Sequence, residues 1–195
     1  MKVLSILGSP RKKGNSATLA GQVTSKLEQS GALVATHVLN QLDYKGCQSC
    51  YVCKGKMEKC AVKDDLTPIL DAMHDADVIV MASPNYYGYV TGQMKTFLDR
   101  TFSLLTPEFA TGPNRSRLAT GKHLVFVFTQ GADETMFTDV LSKFEQLKFY
   151  YGFQAVHLLH GCELMDTKDA SGRTDLLQQA DGIAEKVGNA LNPDS

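Results

Sequence analysis

The chain has 195 residues, a length that argues for one domain over residues 1–195 with room for a substantial core. Twenty Lys and Arg stand against twenty-one Asp and Glu, a net charge of -1, without the basic excess that nucleic acid or an anionic membrane surface favours. No run approaches the roughly 18 apolar residues of a membrane span, so the expected partner is a small molecule or another protein.

The chain opens MKVLSILGSPRKK, whose short apolar run ends in Gly, Pro and three basic residues, not in the longer apolar stretch and cleavage site of a secretory leader. Val3 to Leu7 is therefore predicted as a first strand, and the chain is expected in the reducing cytoplasm, where structural disulfides are rare. After a polar loop, Ala20, Val23 and Leu27 recur at helical spacing until Gly31 supplies a stop, and Leu33 to Leu39 follows as the second strand. Leu66, Ile69, Leu70 and Met73 stripe a helix, with Pro68 tolerable in its first turn. DVIVMAS, Asp77 to Ser83, is the third strand. Met94, Phe97, Leu98, Phe102 and Leu105 form the next helical face. His123 to Thr129 is a continuous apolar run suited to a strand buried on both faces. Met136, Phe137, Val140, Leu141, Phe144 and Leu147 stripe a helix before FQAVHLLH, residues 153–160, and Leu176, Leu177, Ala180, Ile183, Ala184 and Val187 stripe the last. This alternation predicts an α/β fold, a doubly wound, flavodoxin-like parallel sheet of five strands in the order 2-1-3-4-5, with ligands beyond the C-terminal ends of strands one and three.

Those two ends carry unusual loops. GSPRKKGNSAT, Gly8 to Thr18, sets two glycines, the hydroxyls of Ser9, Ser16 and Thr18 and three cations before a helix, whose unpaired N–H groups and positive dipole end suit a phosphate. It is neither GxxxxGK[ST] nor GxGxxG. The plainer reading is that Asn15 or Ser16 caps the helix and the cations are solvated. SPNYYGYVTGQ, Ser83 to Gln93, packs three tyrosines and two glycines into one turn; aromatic faces can flank a flat ring, and Gly88 permits close approach, though surface packing of the tyrosines is the simpler account. TQGADE, Thr129 to Glu134, leaves the fourth strand on the same edge. Together the loops suit a ligand with a phosphate at one end and a planar ring at the other, as in FMN.

Four of the five cysteines fall in CQSCYVCKGKMEKC, Cys47 to Cys60, with spacing C-x2-C-x2-C-x6-C. A 4Fe-4S cluster, a zinc site and free thiols all accommodate such a loop, and a disulfide framework is disfavoured by compartment. Lys54, Lys56 and Lys59 would offset the negative charge of a four-thiolate cluster.

GSPRKKGNS, the CxxCxxC segment followed by KDDL, DVIVMASPNYYGYVTGQMKTFLDR and the TQG turn resemble the NADPH-dependent FMN reductase group of flavodoxin-like proteins, especially its iron-sulfur flavoprotein branch. The resemblance implies FMN phosphate held by Ser9, Arg11, Asn15, Ser16 and Thr18. It implies a flavin ring contacted by Pro84, Asn85, Tyr86, Tyr87 and Gly88, and by Thr129, Gln130 and Gly131. Cys47, Cys50, Cys53 and Cys60 are the implied metal ligands, and no side-chain acid or base is implied as catalytic. NAD(P)H would be the co-substrate of a flavin, quinone or similar reductase; the alternative is an electron carrier fed by ferredoxin through the cluster. A nonredox phosphate-binding module stands behind both. The group commonly forms homodimers or homotetramers.

Other candidates read as structural. His157 and His160 point to opposite faces of a strand, and His160 with Cys162 shares a face but makes a poor metal site. Asp64 and Asp65 suit a helix start, and Lys95 and Asp99 stand at a supportive i, i+4 spacing on a helix that also carries Arg100. That helix reads either as part of a subunit interface, which the resemblance implies, or as a core-facing helix with a solvated polar side. Residues 106–121 form a Gly- and Pro-containing connection that either covers the site or meets a neighbouring subunit.

Overall fold

The computed structural model describes residues 1–191. Six strands, β1 (Lys2–Leu7), β2 (Leu33–Val38), β3 (Val78–Tyr86), β4 (Tyr89–Val90), β5 (His123–Thr129) and β6 (Ala155–Gly161), alternate with six helices, α1 (Asn15–Gln29), α2 (Leu66–Asp75), α3 (Gly92–Arg100), α4 (Thr138–Glu145), α5 (Leu147–Tyr151) and α6 (Thr174–Leu191). The five long strands are parallel in the order β2-β1-β3-β5-β6. This is the expected doubly wound path; the sixth strand is the short β4, antiparallel to the end of β3.

The extra strand comes from a hairpin that the local sequence hides. Tyr87 and Gly88 both have positive φ, 57° and 80°, the backbone of a two-residue turn whose twist matches paired strands. Glycine adopts it freely. For Tyr87 it is a cost, offset locally because Asn85 Oδ1 accepts the Gly88 N–H at 2.9 Å.

Period-two alternation explains why the strand runs are apolar throughout. Leu4, Ile6, Ile79, Met81, Leu124, Phe126 and Phe128 face one layer, completed by α2, α3 and α4. Val3, Leu7, Val78, Val80, Ala82, Val125 and Val127 face the other, completed by α1 and α6. Burial on both faces is the condition of a doubly wound sheet. The stripe from Met136 to Leu147 is not one helix. Phe137 takes φ 60°, and the chain divides at Gln146 into α4 and α5. Among the described residues no helix is long and apolar enough to cross a membrane.

Between β2 and α2 the chain carries the cysteine loop, with one helical turn at Val52–Lys54. The segment from Phe102 to Leu118 lies against this loop. Lys54 Nζ donates to the carbonyls of Phe102 and Leu105 at 2.5 and 2.6 Å, and Arg117 donates to the carbonyls of Ser103, Leu105 and Cys53. Two cations thus fasten the connection onto the cysteine loop within one chain. Asp64 Oδ1 accepts the Leu66 N–H at the start of α2, as expected, whereas Asp65 accepts the Asp43 N–H instead.

Candidate functional site

The C-terminal ends of β1, β3 and β5 open onto one crevice. Ser9, Arg11, Asn15 and Ser16 line it from the first loop, Pro84, Asn85 and Tyr86 from the second, and Thr129, Gln130 and Gly131 from the third. Thr18, Tyr87 and Gly88 lie outside this lining: Thr18 is already within the first turn of α1, where its N–H bonds Gly14 O, and the Tyr87 side chain is fully exposed at the hairpin tip.

Helix α1 begins without a side-chain cap, Gly14 standing at the cap position. Neither Asn15 nor Ser16 serves as the cap, so the first-turn N–H groups remain available at the positive end of a 15-residue helix. The Asn15 side chain is committed elsewhere. Its Nδ2 donates to Asp166 O at 2.7 Å and its Oδ1 accepts the Ala170 N–H at 3.1 Å, which leaves the backbone of Asn15, and not its amide, for an anion. The same two bonds bring in a fourth loop. Leu164, Met165, Asp166 and Thr167 also line the crevice; sequence reasoning missed them, although any loop leaving the C-terminal end of β6 belongs on this edge.

Gln130 carries the most informative atom. Its Nε2 donates to the carbonyls of Asp133 and Met136 at 2.6 and 3.0 Å, while its Oε1 is buried with no partner. An orphaned buried acceptor is costly, and it lies beside a crevice lined by an uncapped helix start. The donor set fits the phosphate end of FMN: helix N–H groups, serine hydroxyls and Arg11 line the crevice. The volume of this open crevice, about 130 Å³, is below that of a pocket holding a whole drug-sized ligand. It suits the phosphate end, with half-exposed Tyr86 and exposed Met165 at the mouth.

The crevice has a rigid floor. Thr91, at the start of α3, donates its hydroxyl to Gly8 O at 2.7 Å and accepts the Met94 N–H at 3.2 Å. Its own N–H bonds Ser83 Oγ at 3.0 Å. A Cβ on Gly8 would come within 2.8 Å of Met94 Cβ, so glycine there lets the first loop sit directly on α3.

At its other end α3 reaches the cysteines. Cys47, Cys50, Cys53 and Cys60 all line one open cavity of about 480 Å³, together with Arg100, Phe102 and Tyr151. All five cysteines are free. Among the described residues no group of three or more Cys, His, Asp or Glu side chains is gathered so as to hold a metal ion; the four cysteines share one cavity lining without converging on a point. Burial pushes the Cys53 thiol up, against the pull of neighbouring Lys54. Burial likewise pushes Tyr151 up to about 12, while its hydroxyl meets Thr101 Oγ1 at 2.7 Å.

His160 and Cys162 do share a face, Nε2 and Sγ lying 3.3 Å apart. Burial and the neighbouring carboxylates of Glu134, Asp133 and Glu163 push that thiol up, toward its neutral form. His157 lies on the opposite face of the sheet from His160, in register with Val125, and pairs with His123 at 3.1 Å. Lys95 and Asp99 form the expected exposed pair at 2.5 Å, but Arg100, next along the helix, is buried against the cysteine loop.

The family described as NADPH-dependent FMN reductase matches residues 1–159. An iron-sulfur flavoprotein of Archaeoglobus fulgidus is 39% identical over 100 residues, covering 51% of this chain and 45% of the relative. An NAD(P)H dehydrogenase (quinone) of Acidithiobacillus ferrooxidans is 31% identical over 129 residues, covering 62% of this chain and 58% of the relative. The matches thus span about half the length of these curated relatives. Among solved structures, an FMN-dependent NADH-azoreductase from Bacillus anthracis in complex with FMN superposes with a TM-score of 0.72 at 12% identity, covering 97% of this chain and 100% of that one. At that identity the likeness is one of fold.

Proposed function

The chain belongs to the NADPH-dependent FMN reductase family, and from that premise we propose that it is an FMN-dependent oxidoreductase that draws hydride from NAD(P)H and reduces a flavin, quinone or similar small acceptor. The observation that carries the reading is the crevice beyond β1, β3 and β5, which an uncapped helix start lines together with Gln130, whose Oε1 is buried without a partner. FMN, when bound, supplies the hydride-accepting ring and the ability to pass on one or two electrons. The chain's own residues bind and orient. First-turn N–H groups of α1, Ser9, Ser16 and Arg11 take the phosphate; Pro84, Asn85, Tyr86 and the Thr129 to Gly131 turn border the ring. Thr91 holds the first two loops in register. No side chain is assigned as acid or base.

Anaerobic mixing with NADPH or NADH tests the reading: absorbance of the bound flavin near 450 nm falls within a stopped-flow trace. Persistence of full absorbance with both nucleotides argues against it.

A second reading is favoured by the cysteine cavity. Four cysteines lining one cavity carry the donor types of a 4Fe-4S cluster, whose irons each take a separate thiolate, more than of one tetrahedral zinc. In that form the chain is a carrier that accepts electrons from a ferredoxin-like protein and delivers them to FMN. Iron and sulfide near four per chain in anaerobically isolated protein support it; yellow protein without iron removes it. We take residues 1–195 as a single domain and, with Tyr86 and Met165 exposed at the crevice and Tyr87 exposed at the nearby hairpin tip, as a homodimer or homotetramer.

A further inference from the structure

We propose that Arg100 is the positioning residue of the cysteine loop, and that its charged hydrogen bond makes Cys60 electronically distinct from the other three thiolates. The inference rests on the cluster reading above.

Arg100 is the last residue of α3 and is 1% exposed. All five of its N–H donors are used. Nε donates to Cys60 Sγ at 3.2 Å. Nη1 donates to Lys45 O at 2.8 Å and Asp64 Oδ2 at 2.6 Å, and Nη2 to Val62 O at 2.9 Å and Asp64 Oδ1 at 3.2 Å. Lys45 precedes Cys47 by two residues and Val62 follows Cys60 by two, so one guanidinium holds both roots of the loop. Asp64 balances the charge and is fixed in turn by the N–H groups of Lys45 and Leu66 at 3.0 and 3.1 Å. A planar fork with every donor engaged has no freedom to rotate, and lysine cannot reproduce it.

Among the described residues, Cys60 is the one cysteine of the four whose sulfur accepts such a bond. A charged N–H directed at a metal-bound thiolate draws electron density from the sulfur and stabilises the more negative, reduced cluster, which raises its midpoint potential. Purely structural bracing would leave that potential unmoved. Helix α3 spans nine residues, about 14 Å of rise. Its first end is fixed to the crevice floor by Thr91 and its last carries Arg100, so the Cys60 sulfur is held at a set distance from the proposed flavin site.

The test uses anaerobic holoprotein, as wild type, R100Q and R100K, with iron and FMN counted and both midpoints measured by EPR-monitored and optical titration. Expected is retained iron with the cluster's one-electron equilibrium shifted about tenfold toward the oxidised form, about 59 mV, in both variants while the flavin midpoint stays. Unchanged cluster midpoints with iron retained overturn the proposal. Wild-type protein labelled with ¹⁵N-arginine gives a second measurement that needs no variant and decides the case where substitution costs the fold or the iron. An arginine nitrogen coupling in the pulsed EPR spectrum of the reduced cluster is expected, and its absence overturns the proposal. Wild type that takes up no iron overturns the cluster reading itself, and the inference with it; the metal count tells that result apart.

Discussion

Thr91 gives its hydroxyl proton to the Gly8 carbonyl at 2.7 Å, joining the loop after β1 to the start of α3. Both residues are buried, and the same oxygen accepts the Met94 N–H at 3.2 Å. One hydroxyl therefore caps a helix and satisfies a carbonyl at the crevice floor.

Replacing Thr91 by Val keeps the shape and removes the hydroxyl. A buried carbonyl and a helix N–H lose their partner together, at about 2 kcal/mol. Chemical denaturation of T91V is expected to give a correspondingly lower midpoint, with weaker FMN binding because the first loop loses its tether. An unchanged midpoint contradicts the assigned role.

The unpaired Gln130 Oε1 makes a different forecast. In Q130L the acceptor is lost together with the two Nε2 bonds that hold the Asp133 to Met136 turn beside the crevice, and about 1.4 kcal/mol, a tenfold rise in dissociation constant, is the expected loss. Since a fully ionised phosphate has no proton to donate, riboflavin and FMN should weaken by the same factor in flavin fluorescence titrations. A loss confined to FMN would move Gln130 to the phosphate end.

Asp64 and Arg100 form a buried, bidentate ion pair. Burial alone would raise the Asp64 carboxyl, but hydrogen bonds from Arg100 and from the Lys45 and Leu66 N–H groups hold it below its ordinary value. A depressed carboxyl contributes its stability above the unfolded value and loses it as pH falls through the folded one. D64N leaves the guanidinium unpaired, so a loss of about 3 kcal/mol or more is expected near neutrality, read from guanidinium chloride unfolding. That difference should shrink as the wild type is titrated below pH 4.

His123 and His157 set the behaviour at milder acid. Their rings stack, with Nδ1 and Nε2 3.1 Å apart. Burial holds both below the ordinary histidine value, and for His157 the neighbouring His123 and Lys186 add to the effect. The unfolded chain therefore binds protons that the folded chain resists, and stability falls as pH drops below about 6.5. His37 and His160 are shifted the same way. Urea midpoints should be lower at pH 5.5 than at pH 7.5, with a smaller difference in H123Q/H157Q; equal differences in the two proteins would assign the effect elsewhere.

The residues that local pattern reveals are those whose partners are local or set by topology. HLVFVFT reads as a central strand because an unbroken apolar run fits burial on both faces, and β5 is that strand. The crevice was legible because a doubly wound order brings the ends of β1 and β3 together. Arg100 was not, because spacing on α3 suggests a polar face while its partners Lys45, Cys60, Val62 and Asp64 lie 36 to 55 positions away. Nor do Tyr87 and Phe137 announce positive φ, since tyrosine and phenylalanine rarely adopt it. The Leu164 to Thr167 loop escaped notice because its place depends on two bonds from Asn15, about 150 residues earlier.

The central claim is a flavin mononucleotide site whose phosphate sits at the bare start of α1. Titrating flavin-free protein with FMN and, separately, with riboflavin tests it most directly. The account predicts one FMN per chain, bound at least tenfold more tightly than riboflavin; equal affinity for the two, or no binding of either, contradicts it.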